Sequence, residues 1–358
     1  MSPGGRALPR IGVVGVGSLG YHHARILAGL EGVRMAGVYD ADEARAAEVA
    51  AAHGVRAHAS LGALLEAADA VVVAVPTVAH EAVAVAALER GVHVLIEKPM
   101  ASSLAEADRI LEAARRGGAL VQIGHVERFN AAVRAAAPYL EEPLFVESHR
   151  MAPFVPRSID VAVVLDLMIH DVDLVGALVG RPVRAIAATG IPVLTGNVDI
   201  ANARLEFEGG AVANLTASRV STERKRKVRI FQRSGYLSLD LAAGVGEFLR
   251  LKRALPVFEA APVSGGGHGA EAPGEPDGGR DAASAAPLPA GGLEDVVERI
   301  PLQGDGVEPL RLELEAFRDA VRGERAPAVD GEQGRQALAL SLSIQERIES
   351  HVADTRPS

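Results

Sequence analysis

Over residues 1–125, short Val/Ile-rich runs alternate with Ala-rich amphipathic stretches, and this alternation constrains the fold more than any other feature of the chain. Ile11–Val14, Val33–Tyr39, Ala70–Val75, Val92–Ile96 and Leu120–Ile123 are continuous apolar runs of the kind found in strands buried on both faces. Leu19–Leu30, Ala41–Ala52, Ala79–Arg90 and Ser103–Arg116 carry helical periodicity between them. Strand–helix alternation at this spacing predicts βαβ units and a doubly wound parallel sheet. After residue 125 the pattern changes. One helical stretch, about Asp160–Leu178, precedes strand-like runs at Val183–Thr189, Asp199–Phe207, Ala211–Ser218, Lys227–Gln232, Gly235–Leu239 and Glu247–Leu251. Glu208-Gly209-Gly210 reads as a hairpin turn. The fold class expected is therefore α/β: a Rossmann domain over residues 1–125, then an α+β domain with an open, mainly antiparallel sheet over 126–358. Residues 259–292, rich in Gly, Ala and Pro, read as a flexible insertion. Two closing helices are expected at about Glu308–Arg322 and Gly331–Val352.

Composition removes several function classes. The chain has no cysteine, which excludes disulfides, thiolate metal sites and Cys nucleophiles and suits a cytoplasmic location. A net charge of −9 argues against nucleic-acid binding, because phosphate contacts need a basic footprint. No apolar run approaches the ~20 residues that span a bilayer, so no membrane association is expected. Residues 1–10 have no hydrophobic stretch that reads as a signal peptide. With no Trp and 3% aromatics, a stacking platform for sugar rings is not expected.

Gly15-Val16-Gly17-Ser18-Leu19-Gly20 follows the first strand and opens the first helix. In that context the glycines serve a tight turn, close approach of backbone to a pyrophosphate, and helix–strand packing. Asp40, at the end of the second strand, can accept hydrogen bonds from both ribose hydroxyls and repels a 2′-phosphate. Ala41 and Asp42 add no positive charge, so NAD is expected in preference to NADP. Three further strand ends carry polar or turn residues: Pro76-Thr77 with His80, Glu97-Lys98-Pro99, and Gly124-His125. Their common edge suits a nicotinamide and substrate crevice. His80 can equally cap the helix it begins, and His22 and His23 read as solvent-facing or packing residues.

Lys98 stands out because the chain holds 37 Lys plus Arg but only four lysines, the others being Lys225, Lys227 and Lys252. An amine can shift its pKa and move a proton; a guanidinium cannot. Asp166 and His170 lie four residues apart in an apolar helical stretch, a spacing that puts both on one face, where a carboxylate can orient an imidazole base. Asp173 falls on the same side, but no further ligand completes a metal set, and no metal is expected.

Together the Gly-rich turn, Glu97-Lys98-Pro99 and the Asp166-x-x-x-His170 helix resemble the glucose–fructose oxidoreductase/inositol dehydrogenase/MocA family of two-domain NAD(P)-dependent sugar oxidoreductases. The resemblance covers nearly the whole chain apart from residues 259–292. It implies that Lys98, Asp166 and His170 line the pocket facing the nicotinamide, and that the Lys98–Pro99 bond is cis. It also implies a homodimer or homotetramer.

Gly124-His125-Val126-Glu127-Arg128-Phe129-Asn130, the run Val164–Asp173 and Asp199–Arg204 resemble more narrowly the UDP-N-acetylglucosamine 3-dehydrogenase branch. That likeness implies oxidation of C3 of a nucleotide sugar to the 3-keto sugar, which a partner aminotransferase converts to a 3-amino sugar for lipid A or other surface glycans. His125 becomes a candidate substrate contact, and Arg128, Asn130, Arg150 and Arg157 candidate contacts for a pyrophosphate, each of these four also readable as an ordinary surface side chain. Either His170, oriented by Asp166, or Lys98 can be the base. A dehydrogenase of a free polyol or aldose, and a non-catalytic dinucleotide-binding regulator, are the competing readings. The basic run Arg224-Lys225-Arg226-Lys227 reads as a solvated edge or turn.

Overall fold

The computed structural model describes residues 7–155, 161–252 and 296–355. The expected insertion at 259–292, Arg157 and Asp160 lie outside the described residues. Strands β1 (Arg10–Val14), β2 (Arg34–Tyr39), β3 (Ala70–Val73), β4 (His93–Glu97) and β5 (Val121–Gly124) form a wholly parallel sheet in the order β2-β1-β3-β4-β5. β3 and β5 are buried along their whole length, as their unbroken apolar composition requires. Helices α1 (Ser18–Ala28), α2 (Glu43–His53), α3 (Leu61–Ala67), α4 (His80–Leu88) and α5 (Leu104–Gly117) connect them. α5 illustrates local determination. The Ser103 hydroxyl accepts from the Glu106 amide and Glu106 accepts from the Ser102 amide, while Gly118, in the left-handed region at φ 63°, ends the helix. The short α3 was not expected; it is capped by Ser60 but only seven residues long, too short for its periodicity to register.

The second sheet has eight strands in the order β13-β12-β11-β10-β6-β9-β8-β7. These are β6 (Phe145–Met151), β7 (Val183–Ile191), β8 (Ile200–Phe207), β9 (Val212–Ser218), β10 (Lys225–Gln232), β11 (Gly235–Asp240), β12 (Val245–Leu251) and β13 (Val297–Gln303). All pairings are antiparallel except β6 with β9. Gly209 and Gly210, at φ 84° and 89°, make the expected hairpin between β8 and β9. β6 escapes the sequence pattern because its inward residues are Val146, Ser148 and Arg150, two of them polar. β13 escapes because Pro301 interrupts it, and it lies at the sheet edge, where a missing N–H is tolerated. The basic run around Arg226 opens β10, an inner strand rather than an edge.

Helices α6 (Ala131–Ala136) and α7 (Ile169–Val179) cover one face of this sheet. The closing helices, α8 (Pro309–Val321) and α9 (Gly331–Thr355), return to the first domain. Leu314 and Phe317 join a core with Ile11 and Leu27, while Val329 and Leu338 join one with Ile96 and Ile123. Ile344 and Ile348, further along α9, pack into the second-domain core. α9 thus ties the two domains together and fixes the crevice between them.

Candidate active site

At the end of β1 the chain turns through Gly15, whose φ of 82° and close approach to Ala74 and Val75 exclude a side chain. A Cβ on Gly20 would lie 1.8 Å from the Gly15 carbonyl oxygen, so only glycine lets α1 sit this close to the turn. A Cβ on Gly17 would meet nothing within 4 Å; here the backbone faces open space. Ser18 and Leu19 are exposed, and α1 has neither a side-chain cap nor an acidic residue in its first turn. Its free amides and positive dipole end therefore form a cradle for an anionic diphosphate. Asp40 accepts from the Val16 amide at 2.7 Å and the Asp42 amide at 3.0 Å, which fixes its carboxylate beside the glycine turn. Asp42, not Asp40, caps α2. Arg45, which the sequence reading overlooked, donates to the Val16 carbonyl at 2.9 Å, bringing a cation near the turn. These features fit a dinucleotide.

Beyond β3, Pro76 is exposed and Thr77 partly exposed. His80 is not. It is 1% exposed, and its ring lies between the Val75 carbonyl at 2.9 Å and the Pro99 carbonyl at 3.0 Å. The neutral ring donates to one of these carbonyls at a time, so His80 braces the Lys98–Pro99 turn from behind instead of facing a cofactor. That peptide bond is cis.

Lys98 extends from this turn and donates to the main-chain carbonyl of Asp166 at 2.8 Å. The segment preceding α7 explains the contact. Val164–Met168 is a π turn in which the Ile169 amide reaches back to the Val164 carbonyl, five residues away. This wider turn changes the expected geometry: no hydrogen bond joins the Asp166 carboxylate to His170, and Nδ1 of His170 is buried without a partner. Asp166 therefore meets the site through its backbone. Lys98 and His170 do converge, closely enough that the Lys98 charge suppresses protonation of the ring.

The electrostatics favour a neutral imidazole and lower the pKa of the amine. Burial pushes His170 well below the usual histidine range, and Lys98, Arg150, His125 and Arg226 add positive charge around it. Burial also lowers Lys98, with Arg150 acting in the same sense and Asp166 and Glu97 opposing. Arg150 is 3% exposed; it donates to both oxygens of Asp171 at 2.8 and 3.0 Å and to Glu127 at 2.9 Å. Burial discourages its charge, but those two acids hold it protonated.

Several expected substrate contacts are instead used internally. Arg128 forms a bidentate pair with Asp173 at 2.7 and 2.8 Å. Asn130 is buried, caps α6 and bonds to Glu127 and the Leu241 carbonyl. Arg150 is committed to Asp171 and Glu127. Both amide hydrogens of Asn130 are used, and Arg150 is 3% exposed with three of its five N–H groups on Asp171 and Glu127. His125, 1% exposed, lies 3.8 Å from Asp173 and close enough to Lys98 to feel its charge. His23, expected to face solvent or merely pack, is buried and contacts Glu97 at 2.7 Å, while His22 is exposed. No short-range motif marks the His23–Glu97 pair, which spans 74 residues.

A dinucleotide cradle at the end of β1, with an amine and an imidazole meeting at the ends of β4 and α7, defines a two-domain NAD-binding oxidoreductase. Residues 9–125 match the oxidoreductase family with an NAD-binding Rossmann fold, and residues 119–238 match the GFO/IDH/MocA C-terminal domain. The chain belongs to the glucose–fructose oxidoreductase/inositol dehydrogenase/MocA family. It is 37% identical to the UDP-N-acetylglucosamine 3-dehydrogenase of Acidithiobacillus ferrooxidans across 95% of this chain and 97% of that protein. A solved structure of that enzyme superposes with a TM-score of 0.80 at 34% identity, covering 96% of this chain and 98% of the other. Inositol 2-dehydrogenase 2 of Saccharopolyspora erythraea is 39% identical, but across 48% of this chain and 54% of that protein.

Proposed function

We propose that the chain is a UDP-N-acetylglucosamine 3-dehydrogenase, oxidising the C3 hydroxyl of the sugar to the 3-keto product. The observation that carries this reading is end-to-end similarity to an enzyme of that name, over 95% of this chain and 97% of that protein. Bound NAD supplies the hydride acceptor. Gly15, Gly17, Ser18, Leu19 and Gly20 hold its diphosphate, Asp40 its ribose, and Pro76, Thr77 and Glu97 border the remainder. His170 accepts the hydroxyl proton: burial and neighbouring cations keep its ring neutral and ready to do so. Lys98 donates a hydrogen bond to the same oxygen and stabilises developing alkoxide charge. Its tie to the Asp166 carbonyl aims the amine. His125 is near enough to both Lys98 and His170 to share their electrostatics, and Arg128 is paired to Asp173.

The product ketone is a substrate for transamination, which places an aminotransferase next in sequence and a 3-amino sugar as the outcome. We assign the enzyme to the cytoplasm, where nucleotide sugars and NAD are available, as a homodimer or homotetramer. The inositol-dehydrogenase reading draws on similarity over about half the chain. NADH formation with UDP-N-acetylglucosamine, glucose and myo-inositol separates the two. A primary isotope effect with the C3-deuterated nucleotide sugar, and background rates with the other two, are expected; turnover of myo-inositol alone overturns the assignment.

A further inference from the structure

Glu313 on α8 is fully buried, and neither carboxyl oxygen has a hydrogen-bond partner. Only its backbone is engaged, accepting from the Gln122 side chain at 3.3 Å. Full burial disfavours the charged carboxylate, so this side chain is a neutral acid. Glu97 and Asp173 reinforce that state, because a third negative charge beside them is repelled. The charges that act on it are Glu97 at the end of β4 and Asp173 on α7; His23 on α1 bonds Glu97, His125 and Arg128 lie against Asp173, and α8 packs on α1 and on the Val126–Phe129 segment that holds Glu127.

Two further buried atoms, on the residues that contact Glu97 and Asp173, are also without partners: Nδ1 of His23 and Nδ1 of His125. His23 already uses its other nitrogen on Glu97, whose second oxygen receives the Lys98 amide at 3.3 Å. His125 adjoins Asp173 on one side and feels Lys98 on the other. Several unsatisfied polar atoms in one buried region are what ordered internal water resolves, since each such water needs two to four polar partners.

We propose that Glu313 is the proton reservoir of the oxidoreductase site, a positioning residue linked by buried water to Glu97–His23 and His125–Asp173 behind Lys98. The inference deepens the dehydrogenase reading and rests on it. In alcohol oxidation the hydroxyl proton passes to His170 and on through water and His125 to one oxygen of Glu313, whose own proton leaves from the other oxygen towards solvent, so the acid is neutral at the start and at the end. Ketone reduction runs these transfers backwards, from solvent through Glu313 to a protonated His170 that supplies the alkoxide.

The test uses the full-length protein and Glu313→Gln, which keeps the volume and hydrogen-bonding capacity but cannot pass a proton. In wild type without substrate, infrared spectroscopy at pH 7 should show a protonated-carboxyl C=O band that is missing in the variant. With UDP-N-acetylglucosamine and NAD, the variant should lose kcat by about 10-fold or more while KM and NADH affinity stay put. Its solvent deuterium effect on kcat should rise and its C3-deuterium effect fall, because proton movement becomes limiting. A structural role moves neither effect in this way. Absence of the infrared band in wild type overturns the proposal whether or not the variant folds, as does a folded variant with wild-type kcat and isotope effects. If wild type fails to oxidise the nucleotide sugar, the substrate reading falls, while the infrared result still decides the state of Glu313.

Discussion

Replacing Arg150 by Met removes the one cation buried between Asp171 and Glu127, both of which are themselves buried. Breaking a buried ion pair by deleting one partner typically costs ~3–5 kcal/mol, because the remaining charge is left uncompensated. Arg226, 3.6 Å from Glu127, relieves part of this, which points to the lower half of that range. At ~2–4 °C per kcal/mol for a domain of this size, the melting temperature should fall by ~6–16 °C. Arg150→Met with Asp171→Leu and Glu127→Gln should recover much of the loss, since apolar replacements of whole buried pairs are often neutral. The same substitution has a catalytic signature. Arg150 lowers the pKa of both Lys98 and His170, so its removal lets each hold its proton to higher pH. A reaction needing a neutral base is then slower at neutral pH, and the acid limb of kcat/KM moves upward. Thermal denaturation and a pH–rate profile measure the two effects. A melting temperature within 2 °C of wild type (less than ~1 kcal/mol) refutes the energetic argument; an unmoved acid limb refutes the electrostatic one.

Gly17→Ala should leave the melting temperature unchanged but weaken NADH binding at least ~10-fold, or ~1.4 kcal/mol, in a fluorescence titration, because its Cβ meets no protein atom and intrudes only on the ligand space. Gly20→Ala should disturb the turn itself and lower both stability and affinity. Lys98→Met and His170→Ala should each reduce turnover by ~100-fold or more with NADH binding retained, measured by steady-state kinetics beside the same titration. Asp199 accepts three amides of Val193, Leu194 and Thr195 on one oxygen and the Thr195 hydroxyl on the other. Burial opposes its charge, but these donors carry its pKa from 3.8 down to about 2. A depressed carboxyl stabilises the fold above its unfolded pKa, and the contribution disappears as pH falls through the folded value. Asp199→Asn should therefore cost up to ~2.5 kcal/mol at pH 7 and flatten the stability profile between pH ~4 and ~2 in denaturant titrations.

The parallel sheet and its glycine turn were legible because local rules govern them: uninterrupted apolar runs, cap residues, and glycines that no side chain can replace. The meeting of Lys98 with the Asp166–His170 segment was legible as a family pattern, but its geometry was not. An i, i+4 rule presumes an α-helix, and nothing in Val164–Met168 announces a π turn. β6 was hidden by its inward Arg150, whose partners come from two other elements. Arg128 and Asn130 look like free polar residues in the sequence; the structure spends them on Asp173 and on capping α6. His23, Glu97 and Glu313 come from three distant segments, and only tertiary packing reveals that they share one buried region.

The central claim is that Lys98 and His170 converge on one hydroxyl. A crystal structure of the abortive complex with NADH and UDP-N-acetylglucosamine tests it most directly. The account predicts the sugar O3 within hydrogen-bond reach, ~2.6–3.2 Å, of both Lys98 Nζ and the His170 ring, with C3 facing the nicotinamide. An O3 bound away from either group, or a different ring carbon presented to the nicotinamide, contradicts it.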